Sequence, residues 1–411
     1  MTMMHGAGKR GEMREKRWVN RGDGGLPALF LVAACGAYGA IIVSILPSLV
    51  GAWVSDHGLT EQLAGEVAAA NVLGATLGLA LALFLVSRWP LPHIARLGLG
   101  LAMTGDMLSI WADSFLVLCL LRALSGLGVG LLTGAVTNWI GRNEHAARGF
   151  GMYTMLQFIV AAGYIALIPV LVPFLGGASV YLCLLALGFL SLLLVPLLNL
   201  NGGSEPLRAM SVAVTGDKAQ EDRPFMKLLS LLAFGLFCVA AVGLWSYMLR
   251  FGTILGIESE RVTQILAFSA LCGIPGTILV VALGARYGRT WPLMLALLVY
   301  TVPAILFGVA EVSVAIFIGG LVVQNIAWAV VAPYFQAVQA ALDRTGRLAV
   351  WGVLVVSLGA GIGPALTGFL IEGSSYAFAF AAAIGVLVLA ALTSLAPAIA
   401  GDRDEAVRSK V

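Results

Sequence analysis

The chain is a succession of apolar runs, each close to the length that crosses a lipid bilayer, separated by short polar breaks. A helix needs about 20 mainly apolar residues to span the hydrocarbon core. Such runs lie near 27–53, 63–86, 92–112, 114–139, 149–173, 177–199, 227–250, 261–283, 291–309, 312–341, 348–371 and 376–399. Of the 411 residues, 60% are hydrophobic and 11% charged, whereas about a quarter of a soluble domain is charged. A water-soluble fold of this size has no means of hiding that much apolar surface. The sequence therefore predicts an all-α integral membrane protein with twelve transmembrane helices. Its 50 glycines suit membrane helices, where they let backbones approach closely.

The basic residues give an independent test of that count. With the N-terminus in the cytoplasm and the twelve spans alternating, 21 of the 24 Lys and Arg fall on the cytoplasmic side. Arg250 and Arg261 fall outside, and Arg122 falls within a span. One helix more or fewer before the middle would invert the second half and spoil the asymmetry, so an even count with both termini inside is expected. Tryptophans mark the two interfaces: Trp53 and Trp111 at outer ends, and Trp89, Trp139, Trp291 and Trp351 at inner ends. A lipoprotein-like Val32-Ala33-Ala34-Cys35 is read as part of a permanent first helix, because the apolar run continues past it to Trp53.

The longest internal polar stretch, within 200–226, divides the chain. The expected order is a cytoplasmic tail (1–26), a six-helix bundle (27–199), a cytoplasmic linker (200–226), a second six-helix bundle (227–399) and a C-terminal tail (400–411). The two bundles echo one another. Ser87-Arg88-Trp89-Pro90 closes the second span, and Ala285-Arg286-Tyr287-Gly288-Arg289 closes the eighth. Parallel six-helix repeats suit alternating access, with a site near the midplane between them. Gly126, Gly130 and Gly134 recur every four residues on one helix face, as do Gly74 with Gly78 and Gly359 with Gly363, and such faces pack at short range. Gly273-Ile274-Pro275-Gly276 is expected to kink the eighth span.

From about Leu26 to Ala400 this pattern resembles the major facilitator superfamily. Three motifs carry the resemblance. Arg88 and the run Gly284, Arg286, Gly288 and Arg289 match the family's cytoplasmic loop signature, with Ser87 and Ala285 where its aspartate stands. Arg122, Gly126 and Gly128 match its fourth-span Arg-x-x-x-Gly-x-Gly pattern. Gly359 to Pro364 is a glycine-proline helix motif, placed in span eleven rather than in span five, where the family's antiporters carry one. The resemblance implies two pseudo-symmetric six-helix bundles, a gated central cavity, a monomer, and secondary transport of a small molecule. It also implies a proton-coupling role for the fourth-span arginine.

Two charges lie deep. Asp106 precedes the turn at Asp113 by seven residues and Arg122 follows it by nine, which places both roughly 10–14 Å below that turn on consecutive antiparallel helices. An unpaired charge at that depth costs about 3 kcal/mol or more. Three readings stay open: a proton-carrying pair, a static ion pair, or two charges rotated apart. Glu66, one turn inside span two, is the second proton candidate. The cavity candidates are Tyr38, Asn71, Gln157, Tyr164, Trp245, Tyr247, Gln324, Asn325 and Trp328, polar or aromatic groups at useful depth.

The five cysteines lie in apolar runs without a CxxC pair, and no HExxH, GxSxG or Walker-type GKS/GKT occurs. No catalytic residue, cofactor, metal or nucleic-acid partner is therefore expected. The expected function is alternating-access transport of a small organic solute, proton-coupled, with a slight lean to an organic anion. A multidrug-type exporter is the alternative, and a membrane-embedded enzyme or receptor a remote one. The short loops and missing N-x-S/T sequon fit a bacterial inner membrane.

Overall fold

The computed structural model describes residues 26–86, 88–141, 146–197, 223–284, 286–309, 312–343 and 347–408. The expected N-terminal tail lies outside these residues, as do most of the linker and the motif positions Ser87 and Ala285. The described chain is helical throughout. The first bundle comprises α1 (Leu26–Ala40), α2 (Leu46–Ser55), α3 (Glu61–Leu85), α4 (Leu91–Ser109), α5 (Phe115–Gly141), α6 (Ala146–Leu175) and α7 (Ala178–Leu194). The second comprises α8 (Pro224–Ser246), α9 (Met248–Ile254), α10 (Ser259–Leu271), α11 (Gly273–Leu283), α12 (Thr290–Val309), α13 (Val314–Leu342), α14 (Arg347–Gly373) and α15 (Tyr376–Arg408). Among the described residues nine segments are long and apolar enough to cross a membrane. The three further expected spans fall on α1 with α2, on α4 and on α7. Helix α15 runs on to Arg408, through most of the expected C-terminal tail. Inner denotes the side that the charge asymmetry of the sequence predicts to face the cytoplasm, and outer the opposite side.

Among the described residues three spans are broken. The expected interruption of span eight falls at Cys272, between α10 and α11. Span seven breaks at Tyr247 and span one over 41–45, and neither break was read from the sequence. Proline accounts for the latter. Pro47, in the first turn of α2, has no N–H to give the carbonyl four residues earlier. Ser48 N–H bonds Ile45 O at 3.0 Å instead of Ser44 O. The Ser44 carbonyl is thus released from the helical ladder.

Glycine sets the spacing of the closest helix pairs. Helix α5 packs against α3 on one face and α4 on another. Gly126, Gly130 and Gly134 face α3, with Asn71, Ala75 and Ala82 opposite, while Gly128 faces Gly98 and Ala102 of α4. A Cβ at Gly105 would stand 2.7 Å from the Leu121 carbonyl, too close for any side chain. In the second bundle a Cβ at Gly359 of α14 would stand 2.6 Å from the Gly235 carbonyl of α8. Gly363 lies against Val239 and Gly243 of the same helix. The bundles meet chiefly through α3 with α14 and α6 with α10, pairs that exchange under the pseudo-symmetry.

The exposed Trp89, Trp111, Trp291 and Trp351 stand where an interfacial belt would hold them. Trp53 does not. It is fully buried, and its indole N–H donates to the Tyr181 hydroxyl at 2.9 Å, so it belongs to the interior of the first bundle.

Candidate functional site

Asp106 of α4 and Arg122 of α5 meet. Both are fully buried, and Arg122 Nη2 donates to Asp106 Oδ1. Ser125, less than one turn further along α5, donates to the same oxygen at 2.7 Å. Tyr38 of α1 donates its hydroxyl to Asp106 Oδ2. The guanidinium carbon lies 5.3 Å from the centre of the Tyr181 ring, a cation–π arrangement. Arg122 Nε and Nη1 make no hydrogen bond among the described residues. Four spans of one bundle therefore converge on a single carboxylate and its arginine. The helices are not rotated so as to keep the charges apart. Tyr38, expected in the substrate cavity, belongs here.

Asn71 is also withheld from the cavity: its amide donates to the Arg122 carbonyl at 2.8 Å and fixes α3 to α5. Tyr164 donates to the Val180 carbonyl at 2.7 Å, binding α6 to α7. Tyr247 closes the outer contact between the bundles. Its hydroxyl lies 2.7 Å from the Glu61 carbonyl and 3.1 Å from the Pro364 carbonyl. Arg250 Nε donates to Glu61 Oε1 at 2.9 Å, and the Gln62 backbone N–H donates to Glu372 at 2.9 Å. These bonds tie α3 to α9, α14 and the Tyr247 break, and shut the outer side. Glu66, beside them, accepts from the Gln62 amide at 2.9 Å.

The remaining cavity candidates come together. Gln157 of α6, Trp245 of α8, and Gln324, Asn325 and Trp328 of α13 line one cavity of about 200 Å³ between the bundles. Sequence reading missed Ser44, Phe158 and Tyr300 in the same wall. Ser44 escaped notice because its role follows from the break before Pro47: its freed carbonyl accepts the Trp245 indole N–H at 3.0 Å. Broken backbone at membrane depth is tolerated where it lines a cavity. Gln157 reaches the Ser44 hydroxyl at 3.3 Å, and Gln324 Nε2 donates to the Tyr300 hydroxyl at 2.9 Å. Gln324 Oε1 is buried and accepts nothing among the described residues. The ring of Trp328 stacks on Phe237 at 5.3 Å. No Asp, Glu, Lys, Arg or His lines this cavity among the described residues. Arg122, the basic residue that falls within a span, is engaged by Asp106 and lies outside this cavity.

At the inner side, Gly284 and Gly288 of the loop signature adopt φ of 51° and 70°, which glycine alone takes at no steric cost. Arg88 and Arg286 are exposed. The loop's carboxylate comes from elsewhere. Asp402, near the end of α15, accepts from the Arg289 and Thr290 backbone N–H groups at 2.7 and 3.0 Å and from the Thr290 hydroxyl at 2.7 Å. It thereby caps α12.

A search of curated proteins finds no significant sequence match. Solved structures agree in fold. A point mutant of the nucleoside transporter NupG superposes with a TM-score of 0.72 at 12% identity, covering 90% of this chain and 99% of its own. A D-xylose-proton symporter gives 0.70 at 12% identity, covering 91% and 95%. A point mutant of the peptide transporter POT, in complex with alafosfalin, gives 0.70 at 15% identity, covering 93% and 96%. The family model described as Major Facilitator Superfamily matches residues 29–347. With that match over most of its length and this fold, the chain belongs to the major facilitator superfamily and is a multi-pass membrane transporter.

Proposed function

We propose that this secondary transporter carries a small, uncharged, hydrogen-bonding solute through the cavity between the bundles, coupled to protons at Asp106. The observation that carries the substrate reading is Gln324. Its buried Oε1 lacks a donor among the described residues, in a cavity with no ionic group, beside the indoles of Trp245 and Trp328. A buried acceptor left unsatisfied costs about 1–3 kcal/mol, and a ligand hydroxyl or N–H relieves it. The indole and phenyl faces suit the apolar faces of such a molecule. A charged solute would lose its hydration with nothing to replace it. Nucleosides and D-xylose, named for two of the structural neighbours, are uncharged molecules of this kind.

The coupling reading rests on the convergence of Tyr38, Arg122 and Ser125 on one buried carboxylate. In it, Asp106 accepts a proton as Arg122 leaves it, and α1 transmits the change. Tyr38 reaches the carboxylate from the same helix that leads, two residues on, to the cavity wall at Ala40. Two cytoplasmic tails and a bacterial inner membrane remain the reading that the charge asymmetry and short loops support.

Counterflow in proteoliposomes over a panel of neutral sugars, nucleosides, organic anions and dyes tests the substrate. A neutral solute should be exchanged, and Gln324→Ala should weaken its apparent affinity about 3–10-fold, the worth of one hydrogen bond. An anion exchanged best, with Gln324→Ala indifferent, would sink this reading. Efflux of dyes alone would favour the multidrug alternative.

A further inference from the structure

A second cavity, of about 270 Å³, opens between the bundles on the outer side. Its walls are α2 and the ends of α6 and α7 from one bundle, and α9 and α10 from the other. It is separate from the central cavity, and the transport reading makes no use of it.

Its chemistry is one-sided. Asp56 and Glu260 both face it. Arg250, the one basic group in the wall among the described residues, is already held by Glu61 at 2.9 Å. The wall hydroxyls of Ser55, Thr253 and Thr263 spend their protons locally, on Asp56 Oδ1, the Arg250 carbonyl and the Ser259 carbonyl. They therefore offer lone pairs to whatever enters. Ser48 and Ser179 line the same cavity, are 3% and 0% exposed, and their hydroxyls have no partner among the described residues. Buried hydroxyls in native structures are satisfied by protein, water or ligand.

We infer that this outer cavity is a binding site for a small organic ammonium ion. The two carboxylates supply the countercharge, and the hydroxyl oxygens accept the ammonium hydrogen bonds. An anion meets two acids and a cation that is already neutralised. A cation seated here touches both bundles at once and ties them together on the outer side. Occupancy therefore opposes outward opening.

The test uses the full chain in lipid nanodiscs, with Thr253→Cys as the reporter in the cavity wall and Ser55→Cys as a second. Site-resolved mass spectrometry follows their modification by a trimethylammonium-ethyl and a sulfonato-ethyl methanethiosulfonate. The cationic reagent should react at least about tenfold faster than the anionic one, after correction for their rates with free cysteine. Millimolar ethanolamine or glucosamine should slow the reaction several-fold, and glucose should not. Asp56→Asn with Glu260→Gln should bring the ratio near unity, and Ser179→Ala should weaken protection by the amines. Equal rates for the two reagents, or protection by glucose as strong as by glucosamine, would overturn the assignment. So would persistence of amine protection in the double variant. Thermal unfolding of each variant, measured in parallel, identifies any whose fold is lost; the second reporter then decides.

Discussion

At the level of single residues, one carboxylate organises the first bundle. Removing Asp106 leaves the Arg122 guanidinium buried without its countercharge, which is costlier than never having built the pair. Asp106→Asn keeps the size of the side chain and an oxygen for Tyr38 or Ser125, but not the charge. We expect proton-driven accumulation in proteoliposomes to fall at least tenfold, while counterflow, which needs no net proton movement, stays within about twofold. Undiminished accumulation would remove Asp106 from coupling. A parallel fall in both modes together with the thermal midpoint would reduce it to a structural ion pair. The depth of Asp106 and Arg122 was legible in the chain because both lie within nine residues of one turn. The contributions of Tyr38 and Ser125 were not, since nothing in the spacing of span one says which way Tyr38 points.

At the level of helices, glycine does in this bilayer protein what leucine does in a soluble core. Lipid is as apolar as any side chain, so helices associate by close packing rather than by escape from solvent. The α3–α5 contact is the clearest instance: Gly74 and Gly78 of one helix meet Ala123 and Leu127 of the other, and Gly126 and Gly130 return the contact. Gly126→Leu should lower the thermal midpoint by several degrees and cut the folded yield, since overpacking costs about 1–3 kcal/mol or more. Gly100→Leu, on the exposed face of α4 with no neighbour within 4 Å, should leave both unchanged. Equal tolerance of the two substitutions in a thermal-shift assay would refute close glycine packing. The recurrence every four residues announced these faces. Two of the three helix breaks gave less notice: Pro47 falls inside a long apolar run, and Tyr247 has no proline or glycine at its own position.

At the level of the whole molecule, the two bundles are latched on the outer side and enclose a small central cavity. The latch is mixed: backbone carbonyls of Glu61 and Pro364 hold Tyr247, and the side chain of Glu61 holds Arg250. Arg250 is 31% exposed, so solvent weakens the ion pair to about 1 kcal/mol or less. Arg250→Ala should therefore shift the balance towards the outward-open form by no more than about fivefold. Electron–electron distance measurements between spin labels on the outer ends of α3 and α14 read that shift directly. An unchanged distance distribution would show that Tyr247 and helix packing hold the outer side without help from the charge pair.

The amino-acid order alone determined that this protein lives in lipid, that its chain folds as repeated helical spans in two halves, and which glycines bring helices together. Those properties follow from the length, polarity and period of each run, which are local. Only the tertiary structure decided which polar groups share a space. Gln157 and Gln324 lie far apart in the chain, as do Asp56 and Glu260, yet each pair faces one cavity. Tyr164 and Asn71, as polar and as deep as the others, were spent on neighbouring backbone carbonyls instead. The rotation of each helix about its own axis separates these outcomes, and neighbouring helices fix that rotation.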